Sequence, residues 1–412
     1  MNTTTTTATL PAHASSYRLA FILVTSLFFM WGLSYGLLDV LNKHFQETLG
    51  ITRARSAWLQ GAYFGAYFLM AMPAAGVIGR WGYKATILCG LCLFATGALL
   101  VIPSTLVASF PFFLGAMFII ASGLAFLETA ANPYVTLLGQ SDRSEARLNL
   151  SQSFNGLGQF VAPLIAASML FSSTDAAADH APVRTIYAVI AGIVLLLAVL
   201  TWRTDMPDGA AVGNVEDDSR GPDSPSLWSR PRFAWGVVAQ FFYVAAQVCI
   251  GAFFINYVTE QHAQVGSADA TRLLSVGMLC FLVGRFAGTA LMTRIAPQRV
   301  LLTYAVINIG LTAIVVASLG TASVIALIAL FFFMSIMFPT IFALAVKDLG
   351  SQTKRGSSYL IMSIVGGAIV PYLMGRVADA EGMGTAFLIP LACFGVVVVY
   401  AWKVGHLRAS AT

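Results

Sequence analysis

The stretch TDMPDGAAVGNVEDDSRGPDSPSLWSR, residues 204–230, decides how this chain is built. It is the one long polar run between apolar segments, and its Gly, Pro and Asp content reads as a flexible connector. The acidic trio Glu216, Asp217 and Asp218 belongs to that solvated connector. Before it, apolar runs recur near residues 20–41, 57–78, 85–102, 110–132, 149–171 and 185–202. After it they resume near 233–256, 272–292, 300–319, 322–346, 357–377 and 384–402. Each run is long enough to cross the hydrocarbon as a helix, the element that satisfies its own backbone in lipid. The expected architecture is an all-α integral membrane protein with twelve transmembrane helices in two pseudo-symmetric six-helix bundles. Its parts are a tail 1–19, a bundle 20–203, a linker 204–232, a bundle 233–403 and a tail 404–412.

Composition agrees. Of 412 residues, 58% are hydrophobic and only 10% charged, and the mean hydropathy is +0.79. Soluble domains carry about 25% charged residues, so a cytosolic enzyme, a disordered chain and a disulfide scaffold are excluded. The net charge of +5 does not imply a nucleic-acid partner, because the basic residues sit in short clusters between apolar runs and form no stripe. With the N-terminus inside, sixteen basic residues fall in inner loops and tails. Five fall outside: Lys43, Arg53, Arg55, Arg184 and Arg272. Arg285 and Arg376 complete the 23 and lie within or at the ends of spans. That bias puts both termini in the cytoplasm.

The tail MNTTTTTATLPAHASSYR (1–18) runs straight into an apolar segment that continues through Trp31 to Leu41, a retained span and not a cleaved signal. The five cysteines all fall in apolar stretches and read as packing residues. His13, His44, His180, His262 and His406 are expected in loops or tails. No metal-ligand cluster, phosphate-binding loop, nucleotide fingerprint or hydrolytic triad is visible. The chain is therefore expected to be no enzyme, to bind no nucleotide, and to need no cofactor beyond a proton as coupling ion.

The halves echo each other. GRWGYKA (79–85) follows the second run and TRIAPQRV (293–300) the eighth; Gly158 and Pro163 recur as Gly366 and Pro371, 208 positions on. Such matches suggest a parallel duplication with its binding site between the halves at the membrane midplane.

Two acids stand in apolar context: Asp39 in GLSYGLLDVLNKHF (32–45) and Glu128 in LETAANP (127–133). An acid at a helix centre costs about 2.5–3.5 kcal/mol on insertion scales, so such residues usually face a cavity and move protons or bind solute. Asp39 is also readable as an interfacial residue at the outer helix end. Asn132 shares a helical face with Glu128. Gln152, Asn155 and Gln159 stand at i, i+3 and i+7, and Gln240, Tyr243 and Gln247 repeat that spacing. Amides and phenols on one cavity suit hydroxyl groups, and the rings of Trp31, Tyr35, Tyr63 and Tyr67 suit the C–H face of a sugar. As interhelical glue they need no ligand. Arg285 is the basic residue well inside a span, read as a partner for a buried acid or as a cap on a gate.

LETAANPYVTLLG (127–139), RLNLSQSFNGLG (147–158), VAQFFYVAAQ (238–247), GRFAGT (284–289) and FPTIFALAVKDLG (338–350) together resemble the fucose:proton symporter family of the major facilitator superfamily. The resemblance runs in order from about Phe28 to Gly375. It implies the major facilitator fold and a carrier, working as a monomer, that brings in a hexose with a proton by alternating access. Asp39 and Glu128 match the family's coupling acids, and Gln152 and Asn155 its sugar-facing amides. The expected substrate-binding set is Glu128, Asn132, Gln152, Asn155, Gln159, Gln240, Tyr243 and Gln247. Relatives that carry glucose and galactose tend to have glutamine where Glu128 stands, which favours L-fucose; glucose, galactose and N-acetylglucosamine are the alternatives. Tyr35-Gly36-Leu37-Leu38 and Phe338 depart from the family's polar residues at those positions. An efflux or facilitative carrier on the same fold is disfavoured by the amide-rich site, and a sensor by the shortness of both tails.

Overall fold

The computed structural model describes residues 13–138, 144–171, 180–206, 226–347, 349 and 352–409. The first half holds α1 (His13–Leu49), α2 (Arg53–Ser56), α3 (Trp58–Leu106), α4 (Phe110–Leu137), α5 (Ser144–Leu170) and α6 (Ala181–Arg203). The second holds α7 (Pro231–Gln261), α8 (Ser267–Met292), α9 (Pro297–Val316), α10 (Thr321–Met334), α11 (Met337–Val346), α12 (Thr353–Met362), α13 (Gly366–Glu381), α14 (Met383–Ala386) and α15 (Leu388–Ala409). No strand occurs among the described residues. Most of the linker, with its acidic trio, and the first twelve residues lie outside them.

Eleven stretches of the described residues are long and apolar enough to cross a membrane, and one of them crosses twice. The 49 residues of α3 would extend about 74 Å as one helix, against about 30 Å of hydrocarbon. At Gly82 the chain leaves helical geometry with φ 79° and ψ −178°, a conformation glycine adopts without a Cβ clash. GRWGYKA is therefore the turn between the second and third spans. The twelve crossings of the sequence reading are present.

Other spans are broken by local chemistry. Pro339 has no N–H to offer the carbonyl of Ser335, so α10 stops at Met334 and α11 begins anew. At the break the Met334 carbonyl accepts a 2.8 Å hydrogen bond from the Tyr243 hydroxyl of α7. Span ten is thus two helices, held across the break by its neighbour.

The internal repeat is realised as the same contact in each half. Gly158 of α5 lies against the backbone of α1 at Phe29 and Leu33, and Gly366 of α13 lies against the Phe241 carbonyl of α7. A Cβ at either position would overlap main-chain atoms, so these glycines set the helix approach. The halves meet along α1 with α7, α5 with α8, and α2 and α3 with α13. At the periphery, α6 exposes Val189, Leu196 and Val199 as lipid-facing surface. Trp81, Trp202, Trp228 and Trp402 are exposed at the end of the bundle that carries the termini, as interfacial anchors are.

Two expectations are corrected. The first helix does not stop near Leu41 but continues to Leu49, because its polar end packs on the other half: Asn42 Nδ2 donates to the Ala252 carbonyl at 2.7 Å, and Asn256 Nδ2 donates to Gln46 Oε1 at 2.6 Å. His44 consequently lies inside a helix, 1% exposed, with its ring 6.2 Å from that of His180 and edge-on to Phe45 and Phe171. It is a core residue, not a loop residue.

Candidate functional site

The six-helix halves enclose a cavity of about 810 Å³. Its wall reaches Leu148, Met292, Pro297, Gln298 and Lys347 towards the termini end, while from α1 only Trp31 and Tyr35 contribute. Beyond Tyr35 the far end is closed by the packing of α1 on α7. The cavity therefore opens towards the termini.

Polar groups come chiefly from the N-terminal half. The structure brings Glu128, Asn132, Gln152, Asn155, Gln159 and Gln247 to the wall. Gln152 Nε2 donates to Asn132 Oδ1 at 3.0 Å, and Asn132 Nδ2 donates to the Glu128 carbonyl at 3.1 Å. Further along α5, Gln159 Nε2 donates to Asn155 Oδ1 at 2.8 Å, while Asn155 Nδ2 reaches the Phe28 carbonyl of α1 at 3.1 Å. These bonds fix two amide pairs and leave the Oε1 atoms of Gln152 and Gln159 as acceptors for a bound molecule. The Tyr67 hydroxyl faces the Glu128 carboxyl, and Tyr67 stacks on Tyr63 with ring centroids 5.5 Å apart. Trp31 and Tyr35 complete an aromatic shelf on the same side.

The C-terminal half supplies an apolar wall: Val244, Val248, Phe281, Phe338, Phe342 and Ile361. Phe338 and Phe342 stack at 6.5 Å. Of the basic groups on this side, Lys347 lies at the termini end, while Arg285 is held over the Phe281 ring at 5.1 Å, with Nε lacking a partner among the described residues.

Three residues of the expected set are not on the wall. Asp39 is 1% exposed, sealed between the halves where α1 meets Gly251 of α7, with Gln60 of α3 as its polar neighbour. Gln240 is fully buried inside the second half, and Tyr243 is committed to the helix break of span ten. Sequence reading missed Gln60, although Gln60, Tyr63 and Tyr67 repeat the i, i+3, i+7 spacing seen in α5 and α7. It also missed Thr289 and Gln298, which line the termini-side mouth.

The twelve crossings, the repeated halves and the central cavity accompany a sequence match to the Major Facilitator Superfamily over residues 19–371. The chain belongs to that superfamily. It is 39% identical over 411 residues to the L-fucose-proton symporter of Escherichia coli (strain K12), covering 94% of each chain. It is 38% identical over 389 residues to the glucose/galactose transporter of Brucella abortus biovar 1 (strain 9-941), covering 93% of this chain and 94% of that one. Among solved structures, the major facilitator transporter FucP in the outward conformation superposes with a TM-score of 0.70 at 38% identity, covering 94% of this chain and 99% of that one. These relatives are transporters, not enzymes.

Proposed function

We propose that this major facilitator protein imports L-fucose together with a proton across the bacterial inner membrane, as a monomer with both termini in the cytoplasm. One observation carries the sugar: the cavity has a hydrogen-bonding wall of acid, amides and phenols facing a wall of valines and phenylalanines. A 6-deoxyhexose is built the same way, with hydroxyls on one part and a methyl group on another. The names of the two relatives support sugar transport, and that of the first supports proton coupling. The carboxyl of Glu128 stands where a proton and a sugar hydroxyl compete for the same oxygen atoms.

The mechanism follows from which groups each state exposes. With the termini in the cytoplasm, the cavity described here is open inward. Glu128 reaches that water, whereas Asp39 is shut away behind the α1–α7 contact with no cation paired to it among the described residues. A charged carboxylate in that place would carry a heavy desolvation cost, so the closed far end accommodates Asp39 as the neutral acid. Protonation of both acids from outside then permits closure behind the sugar; inside, Glu128 releases its proton to the water it reaches as the sugar leaves, and the emptied carrier resets. One charge moving down 100 mV supplies about 2.3 kcal/mol, or about 50-fold accumulation.

Glucose or galactose is the second reading, favoured by the 38% identity to the Brucella transporter. Uptake of labelled L-fucose by transporter-deficient cells, with and without a protonophore and with unlabelled galactose, glucose and N-acetylglucosamine as competitors, separates the two. Protonophore-sensitive uptake blocked best by fucose supports the proposal. Uptake of another hexose that fucose does not block overturns the substrate.

A further inference from the structure

The far end of the molecule is closed by more than apolar packing. Arg53, at the start of α2 in the N-terminal half, grips two separate parts of the C-terminal half, the end of α7 and the end of α13. Its Nη2 donates to Glu260 Oε2 at 2.6 Å, and its Nη1 donates to the Ala378 carbonyl at 2.6 Å. The backbone N–H groups of Arg53 and Ala54 donate to the two carboxylate oxygens of Asp379, each at 3.0 Å. Glu260 in turn uses its other oxygen to accept from the Met383 N–H at 2.9 Å, tying the end of α7 to the start of α14. Gly375 lets α13 come this close, since a Cβ there would fall 2.6 Å from the Ala54 Cα.

We propose that Arg53, Glu260 and Asp379 are a clasp that holds the far end of the two halves shut and sets how often that end opens. The reasoning is geometric. Each of these bonds crosses from one half to the other or braces one that does, so separation of α2 from the C-terminal half breaks four of them together, three to α13 and one to α7. The Arg53 and Glu260 side chains are 27% and 33% exposed, enough cover to raise this pair above an ordinary surface ion pair. None of the clasp residues lines the cavity, so the clasp acts on the equilibrium between states and not on solute contacts. A static role, capping α2 in every state, would leave that equilibrium unmoved when the clasp is removed. The inference depends on alternating access within this fold and is independent of which sugar is carried.

The test is a distance distribution across the far end in the full-length, ligand-free protein. Spin labels on Arg55→Cys and Arg272→Cys, both exposed and one on each half, are placed in a background freed of the native cysteines. The parent is expected to show one dominant short distance. Arg53→Ala and Asp379→Ala, acting from opposite halves, are each expected to raise the ratio of long to short distances by about tenfold, the scale of losing charge-assisted hydrogen bonds. Gly375→Leu, a steric wedge that removes no charge, is expected to move the distribution in the same direction. Distributions that superimpose on the parent for any two of the three variants, in protein that remains helical and monodisperse, overturn the proposal.

Discussion

In the N-terminal half, Asn132 precedes Pro133 in span four and turns an amide into the cavity; in the C-terminal half, Phe338 precedes Pro339 in span ten and turns a phenyl ring into it. The same contrast holds across the wall, with Glu128, Gln152, Asn155 and Gln159 on one side and Val244, Val248, Phe338 and Phe342 on the other. Yet the helix contacts are shared, as Gly158 on α1 and Gly366 on α7 show. Packing between spans uses glycine and main chain, so a duplicated scaffold keeps it. Side chains facing the cavity carry no such constraint, and the halves differ there: the N-terminal half supplies the acid and most of the amides, the C-terminal half most of the apolar surface, with Gln247, Arg285 and Thr289 among its polar groups.

The largest effect that this division predicts is at Glu128. Glu128→Gln keeps a hydrogen-bonding group and removes the exchangeable proton, so accumulation falls from about 50-fold to equilibration while exchange of labelled for unlabelled sugar persists. Accumulation left intact in vesicles energised with a proton gradient would mean the N-terminal half is not where coupling occurs.

Next is Asn155→Ala, which releases both the Phe28 carbonyl and Gln159. Sugar affinity is expected to fall by about tenfold or more, read as the concentration for half-maximal exchange, since Gln159 loses the bond that fixes it and a buried group left unsatisfied costs about 1–3 kcal/mol. A comparable loss from Val248→Ala would erase the contrast between the walls.

The shared scaffold gives a matched pair. Gly158→Ala and Gly366→Ala should each destabilise by about 1–3 kcal/mol through backbone overlap, read as a fall in the unfolding midpoint. Similar falls sharpen the view that the two halves pack alike; a fall in one alone breaks it.

The smallest effect is on selectivity. Phe338→Tyr adds a hydroxyl to the apolar wall and should improve competition by galactose relative to fucose by a few-fold, because an apolar pocket discriminates weakly against an added hydroxyl. No change in the competition ratio would take Phe338 out of substrate recognition.

The twelve crossings were legible because hydropathy reports contact with lipid, and the repeat because Gly158 and Gly366 keep one spacing. The amides of α5 were legible as one face, and all three of Gln152, Asn155 and Gln159 meet the cavity. The identical spacing in α7 misleads, since only Gln247 faces inward while Tyr243 is needed by a helix break that Pro339 creates in another span. Asn42, Gln46 and Arg53 read as loop because polarity marks water and a polar helix interface equally; only the partner half distinguishes them. Gln60 was missed for want of a reason to look beside Asp39, a neighbour fixed by tertiary packing.

The most direct measurement of the central claim is external pH in a weakly buffered suspension of de-energised cells expressing the protein, on addition of L-fucose. The account predicts sugar-dependent alkalinisation as protons enter with the sugar, and its loss in Glu128→Gln despite continued sugar exchange. Entry of labelled fucose into the same cells with no change in external pH would contradict it.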